Sequence, residues 1–192
     1  MPELVGNKNG KVLVIGCFHG DEPQGKYLIE EYLKLNENTK LMFVPCLNEY
    51  GYKNNCRTNE NGVDLNRNFP TKNWILGEKD DYYGGEKPAS EKETQFLVDL
   101  ITKNEPKTIL TLHAPYKVVN YDGDAKNISE KISQIIGYPV QESIGYPTPG
   151  SFGTWAGIER NIPTVTLELD EEVDVKELIE PVFKVFELLE KE

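Results

Sequence analysis

Lys11-Val-Leu-Val-Ile-Gly-Cys17 leads through Phe18 into His19-Gly-Asp-Glu-Pro23, and the stretch decides the fold. Five apolar or β-branched residues in a short run, with no polar alternation, describe a strand covered on both faces. Proline fits the first turn of a helix, and the pattern after Pro23 is helical to about Leu35. A strand buried on both sides that turns directly into a helix is half of a βαβ unit. Working outward, Lys40–Cys46, Thr108–His113 and Pro163–Asp170 repeat the short apolar strand signature. Ser90–Asn104 reads as a helix with Ser90 and Glu93 as a capping box, and Ala125–Gly137 as a helix closed by glycine. From Asp174 to Glu190, Val175, Leu178, Ile179, Val182, Phe183, Phe186 and Leu189 recur at helical spacing, and Pro181 inside the pattern is expected to kink or split that helix. Strands alternating with helices predict an α/β sandwich around a mixed, largely parallel sheet. At 192 residues the chain has the length of a single domain, residues 1–192.

Between Leu47 and Pro88 the periodicity lapses into a stretch rich in Asn, Gly, Lys and Tyr. An unstructured segment of that length in a compact domain is either a functional loop or a misread element.

Composition narrows the partners. With 21 Lys and Arg against 32 Asp and Glu, the net charge of −11 excludes a phosphate-binding surface made of clustered cations and an attraction to anionic lipid. No nucleic-acid partner and no membrane are therefore expected, and the sequence leaves the oligomeric state open. No run reaches the roughly 20 apolar residues of a membrane helix. Met1–Gly10 shows no basic and then apolar leader pattern. The three cysteines, odd in number and irregular in spacing, suit free thiols in a reducing compartment, so a cytoplasmic location is expected.

The chain has two histidines, and both fall at strand ends. His19 and Glu22 form an H-x-x-E pair after the first strand, and His113 closes Thr-Ile-Leu-Thr-Leu-His. A catalytic zinc takes three nitrogen or oxygen ligands and keeps one position open. His19, Glu22 and His113 would supply such a His₂Glu set; the bland alternative is two hydrogen-bonded strand-end imidazoles. Glu168 sits between Leu167 and Leu169 on a strand read as buried, where a carboxylate is costly unless it serves a polar site.

Gly62-Val-Asp-Leu-Asn-Arg-Asn-Phe-Pro70, placed after H-x-x-E and before the lone histidine, resembles the corresponding segment of the carboxypeptidase A-like zinc peptidases, the funnelins. Arg57-x-Asn59, Leu112-His-Ala-Pro115, Gly150-Ser-Phe-Gly-Thr-Trp-Ala-Gly157 and Thr166-Leu-Glu-Leu169 look like that family's murein tripeptide amidase branch. The resemblance covers about Lys11 to Glu172. It implies a zinc carboxypeptidase-like fold and one Zn²⁺ per chain on His19, Glu22 and His113, with Glu168 as general base and Arg57 steadying the carbonyl oxygen. It further implies that Asn66 and Arg67 clamp the substrate's free carboxylate, that Tyr146 contacts the same group, and that Gly150, Ser151 and Thr166 shape the pocket. Arg67 could instead pair internally with Asp64. Two residues depart from carboxypeptidase A itself: Asp21 stands where it has arginine, and Ala114 where digestive members have serine.

The implied activity is zinc-dependent hydrolysis of a short peptide with a free C-terminal carboxylate, at the γ-D-glutamyl–diaminopimelate bond of murein tripeptide. Asp21, Asp122 and Glu142 are unplaced candidates for reading the released side chain. Two alternatives stay open. Aspartoacylase and succinylglutamate desuccinylase relatives share H-x-x-E, a D-L-N-R segment and a later histidine, and deacylate amino acids. A non-catalytic binding module would also keep the fold.

Overall fold

The structure, a computed structural model, describes residues 1–142 and 147–192. Seven strands form one sheet: β1 (Val5–Gly6), β2 (Val12–Gly16), β3 (Met42–Val44), β4 (Thr108–His113), β5 (Val118–Asp122), β6 (Val140–Gln141) and β7 (Thr164–Glu168). Their spatial order is β1-β3-β2-β4-β7-β5-β6. The block β3-β2-β4-β7 is parallel, as is β5 with β6, while β1 on β3 and β5 on β7 run antiparallel. The sheet is therefore mixed and largely parallel, as the strand pattern predicts.

Alternation divides the strands between two cores. Val12, Val14, Leu110, Leu112, Val165 and Leu167 face α1 (Gln24–Leu35), α4 (Lys126–Ile136) and α5 (Ile179–Leu189). Leu13, Ile15, Met42, Val44 and Ile109 face α3 (Lys92–Asn104) and a cluster of Phe18, Phe69, Phe152 and Trp155. Burial on both faces is why β2 reads as an unbroken apolar run. The aromatic cluster is a support for the loops above it: the Phe69 ring lies 5.1 Å from that of Phe152 and 5.6 Å from that of Trp155. Phe69→Ala is expected to cost about 3–5 kcal/mol, read as a shift in the midpoint of chemical unfolding.

Several elements differ from their sequence reading. The expected capping box does not form: α3 begins at Lys92 after Glu91, with no side-chain cap. Ser90 Oγ instead donates to Glu91 Oε1 at 2.6 Å and accepts from Asn68 Nδ2 at 2.9 Å. A competing long-range partner has taken the hydroxyl. The stretch Leu47–Pro88 is a misread element in part, since it carries α2 (Glu49–Asn54) and a 3₁₀ turn, Leu65–Arg67. It is pinned by buried Asn68, whose Nδ2 donates to Gly84 O at 2.8 Å and whose Oδ1 accepts from Glu91 N at 3.1 Å. Pro181 splits the last helix: a 3₁₀ turn, Val175–Leu178, precedes α5, and the proline falls in α5's first turn, where its missing N–H costs little. β1, β5 and β6 are additional to the strands expected.

After β2 the chain crosses outward to β3 and then returns past β2 to β4. The carboxyl ends of β2 and β4 thus flank the point where strand order reverses, the usual place for a crevice in an open α/β sheet. There β4 and β7 pair His113 with Glu168 in register.

Candidate metal and active site

His19 lies three residues beyond β2, and Glu22 follows one turn later, just before α1. His113 closes β4. Their donor atoms lie within 4.8 Å of one another, the one such group of three or more among the described residues. His19 Nδ1 is 2.7 Å from Glu22 Oε1, and His113 Nδ1 is 2.9 Å from Glu22 Oε2. Both imidazoles thus aim the same nitrogen at one carboxylate. His19 Nε2, the other nitrogen, is 3.0 Å from Asp64 Oδ1. An imidazole whose outer nitrogen is held by a carboxylate, with its inner nitrogen converging on further donors, is the arrangement of a metal-binding histidine. Nitrogen and carboxylate oxygen are zinc's preferred ligands, so the residues present fit that ion.

Electrostatics follow the same geometry. Burial works against charge on His19, but Glu22 and Asp64 override it and lift its pKa to about 9. Burial would also raise the Glu22 and Asp64 carboxyls. His19 and His113 hold Glu22 well below the usual carboxylate range, and His19 and Arg57 do the same for Asp64.

Asp64 was not singled out in sequence, beyond its possible pairing with Arg67, yet it organises one wall. It is fully buried and receives Arg57 Nη2 at 2.8 Å, Arg57 Nε at 3.1 Å and the backbone N–H of Asn66 at 2.8 Å. The internal ion pair is therefore made by Arg57. Arg67 turns the other way, its Nη1 donating to Asn66 O at 2.8 Å. Tyr82, exposed at the rim, places its ring 5.0 Å from the Arg57 guanidinium and 5.9 Å from that of Arg67. Nothing in the sequence distinguished Tyr82 from its neighbours.

Glu168 ends β7 on the opposite wall. It is 7 % exposed, burial raises its pKa, and its Oε2 has no hydrogen-bond partner among the described residues. A buried, unsatisfied carboxylate oxygen facing a cavity is costly, and such groups cluster at functional sites.

The cavity between these walls has a volume of about 320 Å³. It brings together His19, Glu22, His113, Arg57, Asn66, Arg67, Ser151, Thr166 and Glu168 from the sequence-derived set. Asn66 Oδ1 accepts from Phe152 N at 2.8 Å, which ties the Leu65–Arg67 turn to the Ser151–Gly153 segment. Gly150 lies outside the lining: a Cβ there would stand 2.1 Å from Arg67 O, so its close approach supports the arginine's backbone from behind. Tyr146 lies outside the described residues.

A mixed, largely parallel sheet carrying two histidines and a glutamate at its switch point is the architecture of a zinc peptidase. The chain matches the peptidase M14 family, zinc carboxypeptidase, over residues 4–144, and it belongs to that family of metallopeptidases. It is 34 % identical over 170 residues to murein peptide amidase A of Escherichia coli K12, covering 81 % of this chain and 69 % of the relative. The crystal structure of the murein-tripeptide amidase from Escherichia coli O157 superposes with a TM-score of 0.85 at 31 % identity, over 97 % of this chain and 83 % of that one. A gamma-D-glutamyl-L-diamino acid endopeptidase from Lysinibacillus sphaericus is 29 % identical over 129 residues, 59 % of this chain and 31 % of its own. These matches favour the peptidase reading over the N-acyl deacylase alternative. Among the described residues no helix is long and apolar enough to cross a membrane.

Proposed function

We propose that this protein is a zinc-dependent amidase that releases the C-terminal amino acid of a short murein peptide by cutting its γ-D-glutamyl–diaminopimelate bond. The observation that carries the reading is the meeting, on one small cavity, of the His19–Glu22–His113 donor set, the unsatisfied Glu168 carboxylate and two arginines. The names of the relatives supply the bond type. Family membership and the donor set support one zinc ion per chain on these three ligands. Three free cysteines support a reducing, cytoplasmic setting, where peptides from cell-wall recycling would be met.

When bound, zinc supplies a Lewis acid that polarises a carbonyl and lowers the pKa of water. The chain's own residues do the rest. Asn66 and Arg67 hold the substrate's terminal carboxylate, for which a planar guanidinium offers two parallel donors. That clamp fixes which peptide bond lies before Glu168. Glu168 takes a proton from the attacking water as the C–O bond forms. It then returns that proton to the nitrogen as the C–N bond breaks, leaving a free amine and a carboxylic acid, which gives up its own proton to solvent at neutral pH. Arg57, kept charged by Asp64, faces the oxygen that gains negative charge. This also explains how a chain of net charge −11 holds an anionic substrate: the needed cations are local, and Asp64 orients one of them.

Incubation of zinc-loaded protein with L-Ala-γ-D-Glu-meso-diaminopimelate is expected to release free diaminopimelate, measured by chromatography. Release that matches the metal-stripped protein, with α-linked dipeptides cleaved instead, would overturn the bond assignment.

A further inference from the structure

We propose that Tyr82 is a positioning residue: the face of its ring holds the Arg57 and Arg67 guanidiniums, so that their remaining N–H donors stay aimed at the substrate. The proposal deepens the reading above and rests on it. One ring serves both cations, its centre 5.0 Å from the Arg57 guanidinium carbon and 5.9 Å from that of Arg67. Both distances fall within the roughly 6 Å reach of a cation–π interaction. Tyr82 lines the catalytic cavity together with these arginines. The ring therefore bears on the two groups that would fix opposite ends of the reacting unit, the carbonyl oxygen and the terminal carboxylate.

The choice of partner is informative. Arg57, Arg67 and Arg160 are the chain's only arginines, set among 32 acidic residues. Even so, no carboxylate of the described residues forms an ion pair with Arg67, whose guanidinium makes one hydrogen bond, from Nη1 to Asn66 O. A carboxylate would occupy the planar edge of the guanidinium with two parallel bonds and compete with the substrate's own. An aromatic face meets the cation broadside and leaves that edge open. Arg57 is held differently. Asp64 takes its Nε and Nη2, and its Nη1 stands 3.7 Å from Glu22 Oε1, towards the donor trio. There the ring restrains from the face a group already tethered along one edge.

A ring can hold other groups only if it is held itself. Tyr82 is 58 % exposed, but the backbone around it is fixed. Its own N–H donates to Asp80 Oδ1 at 2.8 Å. The next residue, Tyr83, is buried, and its carbonyl accepts from Asp64 N at 2.8 Å. Gly84 follows, where a Cβ would stand 2.6 Å from Arg67 O. The segment is thus fastened to Asp64, which tethers Arg57, and packed against the backbone of Arg67. Ordering an exposed segment costs conformational entropy, which the contact with two cations helps to offset.

The test compares Tyr82→Leu, which removes the aromatic face, with Tyr82→Phe, which keeps it. In ¹⁵N–¹H spectra of the zinc-loaded proteins, the Nε–H signals of Arg57 and Arg67 are expected to move in Tyr82→Leu and to hold in Tyr82→Phe. Arg160, over the Trp155 ring at 3.8 Å, is the internal control and holds in both. Unmoved Arg57 and Arg67 signals in Tyr82→Leu overturn the proposal. With the tripeptide, Tyr82→Leu is expected to lose roughly 5- to 30-fold in kcat/KM, the span of one or two cation–π contacts. KM rises through Arg67 and kcat falls through Arg57. Tyr82→Phe stays within about threefold of the wild type, and the unfolding temperatures are equal throughout. A leucine variant within that same range, or a phenylalanine variant as impaired as the leucine one, overturns the proposal. So does a loss of activity that tracks a lowered unfolding temperature. If Tyr82→Leu does not unfold cooperatively, Tyr82→Gln replaces it under the same criteria. Should the wild type leave the tripeptide uncut, the bond assignment has failed, and calorimetric binding of alanyl-lysine against its C-terminal amide decides. A preference for the free carboxylate that weakens in Tyr82→Leu and survives in Tyr82→Phe supports the role of Tyr82, and an absent or unchanged preference overturns it.

Discussion

Glu168→Gln is expected to lower kcat/KM for the tripeptide by about 10²–10⁴-fold, the typical contribution of a positioned general base. That corresponds to roughly 3–5 kcal/mol of transition-state stabilisation. Zinc content and the unfolding temperature should hold or rise slightly. Glutamine keeps the shape of the side chain but can neither accept the proton of water nor return it to the amine. It also removes a buried carboxylate whose pKa is raised by burial and whose Oε2 lacks a partner. A residue that served the fold would show the opposite pattern, with stability falling and activity following it. Metal analysis, thermal unfolding and steady-state kinetics on one preparation separate the two. Activity within tenfold of the wild type would remove Glu168 from the mechanism.

The central strands were legible because their environment is uniform. β2, β4 and β7 are covered on both faces, so their residues form near-continuous apolar runs. β5 failed to register for a physical reason that bears on function. Its sequence Val-Val-Asn-Tyr-Asp puts polar residues on a face that is buried against a cavity rather than a core. A strand that lines a polar site with one face lacks the unbroken apolar run by which the central strands are recognised. The expected capping box shows the converse: the local Ser90–Glu93 signal was present, but Asn68, 22 residues away in sequence, held the hydroxyl. Local rules give way where a buried long-range hydrogen bond competes.

The donor trio was legible because two of its members are three residues apart and the third closes a recognisable strand. Asp64 was not, since its contact with His19 spans 45 residues and depends on how a 3₁₀ turn aims its side chains. The same turn decides which arginine meets Asp64. Sequence proximity favoured Arg67, whereas backbone direction delivers Arg57.

His113→Ala is expected to abolish stoichiometric zinc binding and to remove the stabilisation that zinc confers. Two ligands, His19 and Glu22, would remain where a catalytic zinc takes three. The change also costs Glu22 its 2.9 Å contact with His113 Nδ1 and leaves Phe18 without the imidazole stacked 5.2 Å away. A ligand that binds only the folded state stabilises it by an amount that grows with its concentration over Kd, about 2.7 kcal/mol at 100-fold excess. The wild type should therefore unfold at a higher temperature with zinc than after chelation, whereas His113→Ala should unfold at one temperature in both. Packing loss alone predicts something else: a lower temperature in both conditions, with the zinc-dependent difference intact. Zinc quantified in the purified variant, set beside that difference, tells the two apart, and one equivalent of tightly held zinc in His113→Ala would refute the ligand assignment.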